Sequence, residues 1–190
     1  MGVTLQTAPM APASPNPKVP PAKAPSPGKP PAASRPKAAK VSSFLTEDLI
    51  LVPAKQADKG ALLEALVRLV CDKKGISEVG TVLANVQERE QGISTTLDTG
   101  LSLPHVRLDN LGQIVAALAL IPQGIPDPKQ ADLTIRAMFL FFSPNKPEFF
   151  PQHLQVLRAV SSLFQPDAID RLTAAPSPAA ALELLKKLET

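Results

Sequence analysis

From Ser43 onward, apolar positions switch between a helical period and runs that suit strands. In "DKGALLEALVRLVCDKKG" (58–75), Leu62, Leu63, Leu66, Val67 and Val70 recur at helical spacing, with Asp58 as N-cap and Lys73, Lys74 and Gly75 closing the element. A second helix is expected from about Ser77, read as its N-cap, through "EVGTVLANVQERE" to Gly92. Strands are expected at 49–53, 100–104, 113–121 and 133–142. The last two are apolar nearly throughout, as strands covered on both faces are. Helical patterns then return: Pro151 as a first-turn proline before "QHLQVLRAVSSLF", the short "PDAIDRLTAA", and Ser177–Pro178 opening "AAALELLKKLE". "ISTTLDT", between Gly92 and Gly100, is rich in hydroxyls and poor in bulk, and reads as a loop. Helices before, between and after strands predict an α/β (α+β) domain over 43–190, large enough to fold without a metal or disulfide staple.

Residues 1–42 read differently. Half of the chain's 22 prolines fall in the first 40 residues, in runs such as "PPAKAPSPGKPPAASRPK". Proline removes amide donors there, and few large apolar side chains offset the entropy of ordering, so a disordered, Pro/Ala/Lys-rich tail with polyproline II character is expected. No acidic residue precedes Glu47, whereas Lys18, Lys23, Lys29, Arg35, Lys37 and Lys40 are basic. Setting these six aside leaves 14 of the 20 Lys and Arg against 17 Asp and Glu. The basic balance therefore belongs to the tail and the domain is mildly acidic, which argues against nucleic-acid binding. The tail reads as a solvated spacer or leader, with a basic arm touching an anionic surface as the alternative. The opening residues fit neither a secretion signal nor N-myristoylation, and the longest apolar stretch, 114–122, is too short to span a bilayer. A cytoplasmic protein without membrane insertion is expected. Cys71 is the only cysteine and is assigned to packing.

Candidate chemistry is sparse. His105 and His153 are the only histidines, with no cysteine near either, so no metal site and no cofactor are expected. "GLSLP" (100–104) has Pro104 where a serine-hydrolase elbow needs glycine, and no nucleotide-binding glycine motif occurs. Pro104 holds Leu103 extended, which runs the strand straight to His105 and presents the ring at a sheet end. A neutral imidazole can attack phosphorus without prior deprotonation, provided cations offset the charge that arrives. Arg89 and Arg107 are the available cations, and Ser94, Thr95 and Thr96 supply donors. His153 is expected in the first turn of a helix, where the dipole favours a neutral ring beside an anion. Each residue alone also has a bland reading: a structural histidine at a strand end, a solvated helix arginine, and a histidine on a helix surface beside Leu154 and Leu157.

"EREQGISTTLDTGLSLPHVR" (88–107) resembles the active-site segment of enzyme IIA of the fructose, mannitol and nitrogen-regulatory class of the phosphoenolpyruvate-dependent phosphotransferase system (PTS). "HLQVLRAVSSLF" and "LTAAPSPAAALELL" resemble two later patterns of that family, in the same order. The resemblance implies a mixed five-stranded sheet flanked by helices on both faces. It implies a histidine phosphotransferase in which His105 is the phosphohistidine nucleophile, His153 positions the phosphoryl group and Arg89 stabilises its charge. The phosphate would come from the phosphocarrier protein HPr to Nε2 of His105 and pass to the IIB domain of a sugar permease. The alternative is a nitrogen-regulatory module that controls a transporter or kinase through its phosphorylation state. Three positions depart from the family pattern: Asp98 in place of glycine, Ser102 in place of alanine, and Val106 in place of Gly or Ala. Asp98 is expected to bring negative charge near the phosphoryl site, and Val106 a β-branched wall beside the nucleophile.

Overall fold

A computed structural model of the chain describes Gly2, residues 39–53, 58–92 and 94–190. The expected tail falls mostly outside these residues. Of its last positions, Val41 is buried, and the amides of Val41 and Ser42 donate to the carboxylate of Glu189 at the other end of the chain.

Five strands make one mixed sheet: β1 (Ile50–Leu51), β2 (Leu101–Ser102), β3 (His105–Leu108), β4 (Val115–Asp127) and β5 (Gln130–Pro144). β4 and β5 form the antiparallel centre, β1 runs parallel to β4, and β2 and β3 both run parallel to β5. Residues 115–121 of β4 and 137–144 of β5 are buried without alternation, so both faces of the sheet are covered there. The helices are α1 (Lys59–Lys74), α2 (Val79–Gly92), α3 (Phe150–Leu163), α4 (Pro166–Thr173) and α5 (Pro178–Leu188).

Several local expectations hold for the stated reasons. Asp58 caps α1 by accepting from the Ala61 amide at 2.7 Å, and Gly75 closes it in the left-handed region at φ 67°. Ser177 caps α5 by accepting from Ala180 N at 3.2 Å. Cys71 is buried with the α1 apolar face, and burial pushes its thiol pKa up, as its packing role requires. The corrections lie at boundaries. Ser77 is not the N-cap of α2, which begins at Val79, with Glu78 O accepting from Val82 N. The 49–53 strand shrinks to two residues because a 3-10 turn, Glu47–Leu49, takes its start. β4 and β5 run past their expected ends, since a bulged hairpin lets polar residues join the ladder beyond the apolar run.

Candidate active site

The 94–104 loop reaches β3 through a tight fold. Gly100 sits at φ 87°, and a Cβ there would lie 3.1 Å from Thr134 O, so backbone shape and space both select glycine. The carbonyl of Gly100 accepts from Arg136 N and Ala137 N, docking the turn on β5. Pro104 then breaks the edge strand instead of ending it. His105 opens β3, with its Cα opposite Phe141 of β5, so its backbone is paired within the sheet and its ring lies over the sheet face, not at a sheet end as expected from the sequence.

Strand alternation gathers the site on one face. His105 and Arg107 of β3 share it with Phe141 and Ser143 of β5, their register partners. The His105 ring stacks on Phe141 at 5.4 Å between centroids and 15° between planes. Its Nδ1 lies 2.8 Å from the carbonyl oxygen of Leu103. A carbonyl only accepts, so Nδ1 carries the proton, and the lone pair of the neutral ring is on Nε2. Burial lowers the His105 pKa; the Leu103 bond opposes this, the charge of Arg89 lowers it further and that of Glu90 raises it. The half-buried ring is thus kept neutral and pinned at one nitrogen.

α3 covers this face. A 3-10 turn, Pro147–Phe149, leads into Phe150 and Pro151, which set the first turn that delivers His153. His153 is buried, contrary to its helix-surface reading, and meets the His105 ring edge-on at 5.4 Å. Its Nδ1 lies 2.7 Å from Ser143 Oγ. The Arg107 guanidinium lies over the Phe150 ring at 5.4 Å. Burial, then repulsion by His105 in its charged form and by Arg107, lower the His153 pKa from 6.5 to about 4. In the window between these values the unfolded chain binds the proton and the native ring does not, so stability rises with pH. The contribution is fully present above about pH 6.5 and is lost as pH falls toward 4. It amounts to on the order of 3 kcal/mol at most. Urea unfolding across pH 4–7 should therefore give a shallower pH slope for His153→Gln than for the wild type; an equal slope would refute the buried neutral ring.

The end of α2 supplies the third side. Arg89 acts electrostatically on His105, and the next residue, Glu90, is buried. Lys59 Nζ, from the first turn of α1, lies 3.1 Å from Glu90 Oε2 and 3.0 Å from Asp127 Oδ2. Asp127, at the end of β4, also accepts from Ser94 and Thr96, and Thr95 donates to Glu90 at 2.6 Å. Burial pushes the Asp127 pKa up, but the Thr96 hydroxyl, the Lys129 amide and Lys59 together hold it well below the usual carboxylate range. Lys129 Nζ donates to the carbonyls of Glu90, Gln91 and Gly92, where a helix's carbonyls lack intrahelical partners. The loop and the Arg89–Glu90 turn are thereby fixed to α1 and β4.

Arg89, His105 and His153, the three residues the sequence singled out, converge here. Lys59, Asp127, Lys129 and Ser143 were not anticipated. A lysine in the first turn of α1 opposes the helix dipole, and that mismatch was a readable signal for Lys59. Ser143, two residues after Phe141 in an apolar strand, was another. Two of the three departures act differently from expectation. Val106 pairs with Phe142 and takes the opposite face from His105, so it forms no wall beside the nucleophile. Asp98 is exposed in the turn, and the carboxylate whose charge acts on His105 is Glu90. Ser102 is fully buried, and its hydroxyl has no hydrogen-bond partner among the described residues.

Residues 43–188 match the family described as phosphoenolpyruvate-dependent sugar phosphotransferase system, EIIA 2. The chain belongs to this family. The fructose-specific EIIA component of Haloferax volcanii is 26% identical over 149 residues, covering 78% of this chain and 96% of that protein. The nitrogen regulatory protein IIA-Ntr from Neisseria meningitidis has the same fold, with a TM-score of 0.67 at 20% identity over 77% of this chain and 99% of the other. IIA mannitol of Escherichia coli, solved in complex with phosphorylated IIB mannitol, gives 0.63 at 20% identity over 75% and 97%. This EIIA domain accordingly has the mixed five-stranded sheet and flanking helices that the resemblance implied. Among its described residues no helix is long and apolar enough to cross a membrane.

Proposed function

We propose that the domain, assigned to 43–190 of a cytoplasmic protein, is a phosphocarrier that accepts a phosphoryl group from phospho-HPr on Nε2 of His105 and passes it to the IIB domain of a sugar permease. The observation that carries this reading is the Nδ1–H bond to Leu103, which leaves the Nε2 lone pair as the ring's nucleophile. That lone pair forms the new N–P bond while the donor's N–P bond breaks and its electron pair returns to the donor imidazole. The His105 ring keeps its Nδ1 proton and becomes imidazolium-like, which strengthens the bond to the Leu103 carbonyl. Arg89 and Arg107 offset the arriving negative charge, and His153 orients the phosphoryl oxygens. Phe150 and Leu154, each 47% exposed and one turn apart on α3, give an apolar rim for a partner protein beside the rings.

Incubation with phosphoenolpyruvate, enzyme I and HPr should give an acid-labile phosphate on the protein, discharged on adding a IIB domain; absence of label would end this reading. Removing the guanidinium in Arg89→Ala should slow labelling by about 10²-fold or more with the fold intact. His153→Ala should slow it as well, and unchanged rates in both variants would show that neither residue serves the transfer. The match to a nitrogen regulatory protein supports a second reading, in which the phosphorylation state of His105 governs binding to a transporter or kinase. Label that forms normally but that no sugar-permease IIB domain discharges would favour it.

A further inference from the structure

Ser143 is fully buried on the face of β5 that carries the site, and among the described residues its hydroxyl bonds only to Nδ1 of His153. Two proton arrangements fit that 2.7 Å contact. If Nδ1 carried the ring proton and donated to Oγ, the serine's own hydrogen would be left buried without an acceptor. If instead Oγ–H donates to a bare Nδ1, only serine lone pairs go unused. An orphaned buried donor is the rarer and costlier defect, so the second arrangement prevails. It puts the proton of the neutral ring on Nε2.

The consequence is chemical. Phosphoryl oxygens accept hydrogen bonds and offer none, so a ring presenting a bare nitrogen would repel them and one presenting N–H would bind them. Near the N-terminus of α3, and beside His105 and Arg107, charging the ring is unfavourable. The choice of tautomer is then the remaining way to make His153 a donor. We propose that Ser143 is a positioning residue that fixes His153 as its Nε2–H tautomer, making the uncharged ring a hydrogen-bond donor to a phosphoryl group on His105. The proposal deepens the phosphocarrier reading and rests on it for the identity of the anion.

Long-range 1H–15N NMR of the full, histidine-labelled chain near pH 7.5 reads the tautomer without any phosphate transfer. The wild type should show His153 with bare Nδ1 and protonated Nε2, and His105 with the reverse. Ser143→Ala should move His153 toward a mixture of tautomers and slow phosphorylation of His105 by about 10-fold, the worth of one lost charge-assisted bond. Ser143→Thr, which keeps the hydroxyl, should restore both, and an unshifted His105 signal in each variant reports an intact sheet. A wild-type His153 protonated at Nδ1, or a Ser143→Ala protein with unchanged tautomer or unchanged labelling rate, overturns the proposal. A wild-type chain with the expected tautomer that takes up no phosphate overturns the phosphocarrier reading alone, so the two failures are distinguishable.

Discussion

His105→Gln should reduce phosphate uptake from HPr to background while leaving the domain folded. Glutamine matches the reach of the imidazole to Nε2 and keeps the position polar, at the cost of the Nδ1–H bond to the Leu103 carbonyl. An amide nitrogen, however, has its lone pair tied up in resonance and cannot attack phosphorus. The stacking on Phe141 is lost with the ring, at about 0.5–1.5 kcal/mol, too little to unfold a domain whose β4–β5 centre is fully buried. Labelling measured beside a circular dichroism melt separates the two effects. Residual label in His105→Gln would mean that another group, with His153 the first suspect, accepts the phosphate. That result is not expected, because His153 is less exposed and its Nδ1 is already engaged by Ser143.

Lys59→Met should be the most destabilising single change of charge in the domain, costing about 3–5 kcal/mol. The lysine ammonium lies between Asp127, whose side chain is fully buried, and Glu90, which is 10% exposed. Methionine keeps the aliphatic stem and leaves two carboxylates facing each other out of reach of water. The loss should shrink at acid pH, because protonating Asp127 relieves the repulsion. In the wild type the sign is opposite: the depressed Asp127 contributes stability above the usual carboxylate pKa, and this is lost as pH falls. Adding Asp127→Asn to Lys59→Met should recover part of the stability, since a neutral amide still bonds Ser94 and Thr96. Urea unfolding of the two singles and the double variant measures the coupling. Additive losses would show that the pair does not act as a unit.

The architecture was legible because its signals are local and redundant. The 3.6-residue period with the Asp58 cap defines α1, and the unbroken apolar runs of β4 and β5 require cover on both faces. The site was only partly legible. His105, Arg89 and His153 carry chemistry in their side chains and fall in ordered motifs. Their supports depend on distance in space: Asp127 sits at the end of a bulged hairpin 68 positions from Lys59, and nothing in "GIPDPKQ" distinguishes a buried partner from a turn residue. The same limit explains Val106 and Asp98, whose adjacency to the motif suggested influence. Strand alternation turns Val106 away, and the turn at 97–100 leaves Asp98 exposed. Only the pairing register decides such questions, because a shift of one residue exchanges the two faces.

On the proposed phosphocarrier reading, His105 takes the phosphate, and takes it on Nε2. Phosphorylating the histidine-labelled wild-type chain with phosphoenolpyruvate, enzyme I and HPr, and then recording 31P and long-range 1H–15N spectra, tests it in one sample. A single N–P bond at Nε2 of His105 is expected, with Nδ1 still protonated and His153 unphosphorylated. Phosphate on Nδ1 of His105, on any other residue, or nowhere in the chain would contradict it.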